Sequence, residues 1–512
     1  MTRSKLLTLF LILWVVLVAT ASYFMNGPQF SSWYGSDQAI HVLMANDFSW
    51  PRDLYYWRQD RLGSAVPLLG HVLHKVGFST IVAVGMAKFL FLLTGWVLGS
   101  RYLQNNVSKV VLAIVWFFPL STFHFWTGLG HPYAEHLTFV LAAWAMTDYC
   151  FKNHRKQNSF RHLEVFVVTL LWILALWVSD LTIVLLPVIV LELWLRYRGS
   201  LSDFNINRLK DSRLITIGLT LVAGAWFLLH AKRAAFRIDE YHQLIARPNQ
   251  LVEMWRMIVE RNFSYLNFSR SNPYISIAAW GMLIIWSTAF FSILRRLNRI
   301  KTRQLVLFAG AVFMFAAIFL SSWSNTPDPS YRHYTGIIPL VWIIVLMEME
   351  TFRIAWRRPA VVIVLLTVVS TVGSSVHRYK DRIGDSPYQR ATEVRRLGKA
   401  NIIGNYWRSY LYASVSPDSI MATAPELNTV RRVGQAYRLV REPSVYIIKE
   451  DWVDRWPSHM KANWYQGFPD TIVQFGRLLV IDGEPFRLVN STFCNYKTLP
   501  ITTREKRHSD SN

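Results

Sequence analysis

The feature that most constrains this chain is a series of apolar runs about 16 to 23 residues long, separated by short segments rich in arginine and lysine. A bilayer core takes roughly 20 helical residues to cross, and backbone polar groups inside it are satisfied only within helices or closed barrels. Runs of this kind lie near 6–24, 79–100, 107–122, 131–151, 163–178, 181–197, 214–230, 275–294, 305–322, 335–350 and 360–376, which makes about eleven helices. The first follows Arg3 and Lys5 and is too long for a signal h-region, so it reads as a retained helix. Composition agrees: the chain is 52% hydrophobic and 15% aromatic, with a mean hydropathy of +0.22.

The net charge of +23 is distributed as a topology signal and not as a nucleic-acid surface. Alternate loops carry Arg101 and Lys109; Lys152, Arg155, Lys156 and Arg161; Arg196 to Arg213; Arg295 to Arg303; and Arg353, Arg357 and Arg358. The loops between them, near Gly128, Ser179 and Thr326, hold almost no cation besides Arg332. This places the N-terminus in the cytoplasm and everything after about residue 377 outside it. Cys150 and Cys494 then fall on opposite sides of the bilayer, which gives no disulfide framework.

Three polar segments interrupt the apolar pattern. Residues 25–78 form a long first outer loop, and residues 231–272 a second, in which Leu251, Val252, Trp255, Ile258 and Val259 share one face of an amphipathic helix. Residues 377–512 read as an extracytoplasmic α/β domain, with a helix near Tyr388 to Lys399 and strands in IMATA, SVYIIKE and GRLLVIDG. Residues 1–376 form the transmembrane module, so the fold class is an α-helical polytopic membrane protein with a C-terminal α/β domain.

Ionisable groups at membrane depth are costly and so point to structure or chemistry. Lys88 lies about midway down the second run; His124, His131, Glu135 and His136 lie at one outer turn, Asp180 at the next, and Arg332 and His333 at another. In the first loop, Asp37 begins a short helix that would lie along the membrane, where the helix N-terminus favours an ionised carboxylate. It reads equally as a general base for an acceptor hydroxyl and as a simple cap. Arg58, Asp60 and Arg61, in YYWRQDRLG, read as an ion-paired loop or as substrate contacts. Lys88 would face a lipid phosphate or pair with Glu135 or Asp180. Arg332, His333 and Tyr334 offer a guanidinium, an imidazole and a phenol for an anion or for interfacial anchoring. The spacing of His131 and His136 is not that of a one-face metal pair, so no metal is predicted.

A first span, a long outer loop with an early acid, about ten further spans and an outer C-terminal domain resemble the GT-C superfamily of integral-membrane glycosyltransferases. That group includes protein O-mannosyltransferases and the aminoarabinose transferase acting on lipid A. In residues the likeness rests on Asp37, on YYWRQDRLGSAVPLL and on the Arg332-His333-Tyr334 loop, while Gln38 stands where many members carry a second acid. The resemblance implies transfer of a sugar from a polyprenyl-phosphate donor to a glycan, lipid or protein acceptor outside a bacterial inner membrane. Asp37 would be the base, with Lys88 and Arg332 on the donor phosphate; no cofactor is predicted, and a divalent metal stays open. The alternatives are a transporter or flippase for a lipid-linked or anionic solute, or an envelope assembly protein. A transporter would show two comparable halves, and no internal repeat is visible.

Overall fold

The computed structural model describes residues 3–57, 59–157, 162–197, 212–235, 245–297, 300–322, 331–352, 354–379, 385–404, 406–424, 444–448, 459–460, 471–481 and 484–491. In chain order the first helices are α1 (Arg3–Asn26), α2 (Ser36–Asn46), α3 (Ala65–Lys75), α4 (Thr80–Ser100), α5 (Asn106–Phe117) and α6 (Tyr133–Gln157). There follow α7 (His162–Val178), α8 (Leu186–Tyr197), α9 (Ser212–Ala234), α10 (Pro248–Leu266) and α11 (Pro273–Arg295). The last are α12 (Thr302–Leu320), α13 (Ile338–Met349), α14 (Ile354–Tyr379), α15 (Pro387–Ala391) and α16 (Tyr406–Val415). Each of the eleven apolar runs coincides with one of these helices, the sixth being a 3-10 segment, Asp180–Leu185, that continues into α8.

The chain divides into two compact units, residues 1–33 with 47–386 and residues 34–46 with 387–512. In the first unit, six helices among the described residues are long and apolar enough to cross a bilayer: α1, α4, α9, α11, α12 and α14. Helices α5, α7 and α13 are shorter apolar helices. Their outer surfaces identify the solvent they were built for. Leu6, Phe10, Leu13 and Leu17 on α1, Ile215, Leu219, Val222 and Trp226 on α9, and Val362, Leu366 and Val369 on α14 are all exposed. Such continuous apolar stripes would aggregate in water but match hydrocarbon, so the chain is a polytopic membrane protein. The interior is filled by Trp116, Trp126, Trp144 and Trp342 with leucines, isoleucines and valines from nine of the helices. Lipid offers no hydrophobic drive between helices, so close backbone approach matters. At the α11 and α14 crossing, a Cβ on Gly281 would run into Thr367.

One end of this bundle is defined by bonds between loops and helix ends. Ser22 donates to the Phe117 carbonyl, Ser375 to the Pro119 carbonyl at 3.1 Å, and Arg378 to the Ser121 carbonyl at 3.0 Å. The opposite end holds buried acids paired with arginines. Glu192 and Asp148 accept from Arg196 at 2.6 and 2.5 Å, and Glu348 accepts from Arg296 and from Gln304 at 2.7 Å.

The second unit is a mixed α/β structure. Strands β1 (Ala400–Ile403), β2 (Ile420–Thr423), β3 (Ser444–Ile448), β4 (His459–Met460), β5 (Thr471–Ile481) and β6 (Glu484–Ser491) form a sheet in the order β2-β1-β3-β6-β5-β4. The β1-α16-β2 segment is a parallel crossover, Ala400 pairing with Ile420, while β3, β6, β5 and β4 pair antiparallel. The expected helix over Tyr388 to Lys399 is a short α15 followed by a 3-10 segment, Thr392–Leu397.

Helix α2 differs from the expectation of a helix lying along the membrane. Its apolar residues Ile40 and Met44 are fully buried and Leu43 nearly so, because α16 covers them within the second unit. The same spacing that fits an interfacial helix also fits one packed on another helix, and local periodicity does not distinguish the two.

Candidate functional site

Lys88 lies about 12 Å down α4 from its first residue, at 1.5 Å per residue, and is 1% exposed. A buried ammonium persists only with a partner. Glu135, in the first turn of α6 and 2% exposed, accepts from it through both carboxylate oxygens at 2.9 and 3.2 Å. The His131 carbonyl accepts the remaining contact at 3.4 Å. Of the two roles open to Lys88 in the sequence, the geometry occupies its hydrogens with protein acceptors and does not leave them facing a phosphate.

Around this pair the loops at the same end gather cations and rings. Arg332, His333 and Tyr334 lie in a 3-10 turn, Tyr331–Tyr334, just before α13. His333 is buried, and its pKa is lowered to about 3 by that burial, with the charges of Arg332 and His131 adding to the effect. It is therefore a neutral ring at pH 7. Tyr334 packs against Phe315, ring centroids 5.3 Å apart, and its buried hydroxyl has no hydrogen-bond partner among the described residues.

A ribbon of rings continues from there. Tyr133 stacks on His131 at 5.2 Å, His131 meets Phe125 at 5.3 Å, and His124 lies 4.1 Å from both Phe125 and Trp33. The Arg378 guanidinium caps the Trp33 face at 4.0 Å, a cation–π contact. His124 donates through Nδ1 to the Ser121 carbonyl at 3.0 Å. Its pKa falls to about 4 through burial, the Ser121 bond opposing and Arg378 reinforcing the shift. The Glu135 carboxylate neutralises Lys88, and Arg332 and Arg378 bring two guanidinium groups to the cluster. Sequence reading did not single out Arg378, Trp33 or Tyr133. The available signal was that Arg332 and Arg378 are cations at the end of the bundle where the positive-inside pattern has few.

Asp60, Arg61 and Asp180 come together at a second place. Tyr55 pairs with Gly63 and Leu62 with Ser179 as isolated bridges, and Gly63 donates to the Val178 carbonyl at 3.1 Å, so the loop docks on the end of α7. A Cβ at Gly63 would run into the Trp177 carbonyl, which is why this position is glycine. Asp53, 1% exposed, fixes the start of the loop by accepting from the Ser49 amide at 2.8 Å and the Trp57 indole at 3.1 Å. Asp180 is held by Lys232 of α9, 3.1 Å to each carboxylate oxygen. Burial raises the Asp180 pKa, Lys232 and Arg61 pull it back, and Asp60 pushes it up again, which places these four charges around one point. The Lys232 ammonium lies 5.5 Å over the Tyr55 ring. Tyr55 is 1% exposed, and its hydroxyl lacks a hydrogen-bond partner among the described residues. Arg58 lies outside the described residues.

Asp37 belongs to the second unit. It stands in the first turn of α2 and is half-buried, and the Tyr406 hydroxyl donates to its Oδ1. Ser36 donates to the Tyr406 carbonyl, so α2 and α16 grip each other at adjacent residues. Gln38, standing where a second acid is common, turns its side-chain oxygen back to accept from the Gly35 amide at 3.0 Å. That is the reciprocal half of a capping box. Among the described residues no group of three His, Cys, Asp or Glu side chains is placed to hold a metal ion.

No family model matches the sequence, and no curated protein matches it. Solved structures do. The archaeal oligosaccharyltransferase AglB from Archaeoglobus fulgidus, in complex with an inhibitory peptide and a dolichol-phosphate, is 12% identical with a TM-score of 0.47, over 87% of this chain and 70% of that one. ArnT from Cupriavidus metallidurans, bound to undecaprenyl phosphate, is 10% identical with a TM-score of 0.55, over 94% of this chain and 99% of that one. The likeness to ArnT runs over nearly the whole of both chains, and this chain shares that fold.

Proposed function

We propose that the protein is a membrane glycosyltransferase that moves a sugar from a polyprenyl-phosphate donor to an acceptor hydroxyl outside the cytoplasm. The observation that carries this reading is the gathering of Arg332, Arg378 and neutral rings at one end of a bundle whose fold, in ArnT, is bound to undecaprenyl phosphate. A polyprenyl phosphate leaves as an anion, and a partly buried guanidinium with adjacent hydrogen-bond donors stabilises the charge that develops on it. Arg332 takes that role, with His333 and Tyr334 beside it. Lys88 and Glu135 hold the α4 and α6 walls together.

Asp37 is the base. The acceptor hydroxyl gives its proton to the Asp37 carboxylate as its oxygen bonds to the anomeric carbon, and the bond from that carbon to the phosphate oxygen breaks with its electrons going to phosphate. A single displacement inverts the anomeric centre, by analogy with inverting glycosidases. The Tyr406 hydroxyl orients the carboxylate. The site end of the bundle then faces outside a bacterial inner membrane, with the N-terminus in the cytoplasm, and the acceptor is an envelope glycan, lipid or protein. The transporter reading draws no support from the described residues, since its intramembrane charge, Lys88, is neutralised by Glu135.

The test is to incubate the purified protein with a panel of polyprenyl-phosphate sugars and envelope acceptors and to measure released polyprenyl phosphate. Asp37→Asn is expected to lower turnover by about 10²- to 10⁴-fold, the range for a general base, with unchanged folding. Full activity in Asp37→Asn would remove the base from the mechanism.

A further inference from the structure

The two clusters in the first unit differ in their groups. Around Arg332 and Arg378 stand guanidinium groups and ring donors, as an anion requires. Among the described residues around Asp180 there are two acids, Asp60 and Asp180, and two bases, Arg61 and Lys232, which balance. A zero balance of closely set donors and acceptors suits a neutral ligand with many hydroxyl groups, each able both to donate and to accept. It does not suit a phosphate. Asp180 and Lys232 are each about one-third exposed, at 33% and 31%, and so are reachable from solvent.

Two further features point to a ligand. The Tyr55 hydroxyl is buried without a hydrogen-bond partner among the described residues, an unfavourable condition until something satisfies it. Beside the loop stands Trp50, 62% exposed, its ring 6.2 Å from that of Phe227 on α9. An exposed indole next to a polar cluster provides a flat apolar face, and a pyranose ring has an apolar face of similar size. The loop that carries Tyr55 is held by Asp53, by the bond from Gly63 to Val178, and by the Trp177 indole, which donates to the Leu54 carbonyl at 2.9 Å. The groups are therefore set in place before any ligand arrives.

We infer that Tyr55, Asp180, Lys232 and Trp50 form a subsite for the hydroxyl groups of the neutral sugar carried by the donor lipid, separate from the residues that hold its phosphate. The inference rests on the glycosyltransferase reading and adds the feature that selects the sugar. Lys232 donates to one ring hydroxyl and Asp180 accepts from another. The Tyr55 hydroxyl gains the partner it lacks, and Trp50 packs on the ring.

The experiment compares binding of bare polyprenyl phosphate with that of polyprenyl-phosphate hexoses and pentoses, using the full-length protein in phosphatidylcholine nanodiscs. The proteins are wild type, Tyr55→Phe, Trp50→Ala and Arg332→Gln, each with its thermal midpoint measured. Wild type is expected to bind at least one sugar-bearing lipid more tightly than the bare lipid. Tyr55→Phe should erase about three- to tenfold of that preference without changing affinity for the bare lipid or lowering the midpoint, and Trp50→Ala should act the same way. Arg332→Gln should weaken both lipids alike. If wild type prefers no sugar-bearing lipid, or if Tyr55→Phe keeps the full preference, the subsite is overturned while the glycosyltransferase reading stands. If wild type binds neither lipid, that reading falls and takes the subsite with it.

Discussion

Lys88 shows how one residue changes meaning when its partner becomes visible. In the sequence it is an ammonium stranded in an apolar run; in the fold both oxygens of Glu135 hold it. Removing one member of a buried pair leaves the other charge uncompensated, so Lys88→Met is expected to lower stability by about 3–5 kcal/mol, and Lys88→Met with Glu135→Leu to recover most of that loss. Thermal unfolding in detergent measures both. His124 gives a pH dependence of fixed sign. Its ring binds a proton near 6.5 when unfolded and only near 4 when folded. The native state therefore holds fewer protons between those values. Above about pH 6.5 the residue has no effect on stability, and stability falls as pH drops from there towards 4. His124→Phe is expected to flatten that slope in a series of thermal midpoints. The cations and acids of the candidate site were legible as types placed at one end of the bundle. Their pairings were not, because Lys88 meets Glu135 across 47 residues and Asp180 meets Lys232 across 52.

Among the elements, α10 is the one whose surface is left to the surroundings. Met254, Met257 and Ile258 pack into the core, while Val252, Trp255 and Phe263 are 67%, 58% and 68% exposed. Both ends of the helix are tied to ends of spanning helices. Ala246 donates to the Leu320 carbonyl at 2.8 Å, and the Trp280 indole donates to the Leu266 carbonyl at 3.0 Å. That holds the exposed stripe at the level where α11 begins and α12 stops, the depth of lipid headgroups, with aromatics of the kind that anchor there. A nitroxide placed at Trp255→Cys is expected to show membrane-depth parameters of the interface, and one at Glu253→Cys those of water. The amphipathic pattern of this helix was readable in advance. The role of α2 was not, since its apolar face is met by α16, and Ser36 lies 370 residues from its Tyr406 partner.

Over the whole molecule, the alternation of basic loops fixes a testable orientation. Lys75 and Arg101 are exposed near opposite ends of α4, and native Cys150 is buried. In intact cells, with Cys494 replaced by serine, a membrane-impermeant maleimide is expected to label Lys75→Cys and not Arg101→Cys; labelling of Arg101→Cys and not of Lys75→Cys would invert the topology. The helical plan was legible because a span must be long and apolar within itself, which is a local property of sequence. The sheet of the second unit was only partly so. IMATA and SVYIIKE lie in or across β2 and β3, but the four-residue β1 and the strand β6 carry too little pattern to stand out from their surroundings.

The buried pair between α4 and α6 also bears on how the protein is made. Ribosomes deliver Lys88 to the membrane 47 residues ahead of Glu135, and at elongation rates of about 5–20 residues per second that is roughly 2–10 s. During that interval the nascent helix carries an uncompensated ammonium worth on the order of 3 kcal/mol against partitioning. Helix α4 should therefore linger beside the translocon until α6 emerges, and a chain truncated before Glu135 should remain crosslinkable to the insertion machinery longer than one truncated after it.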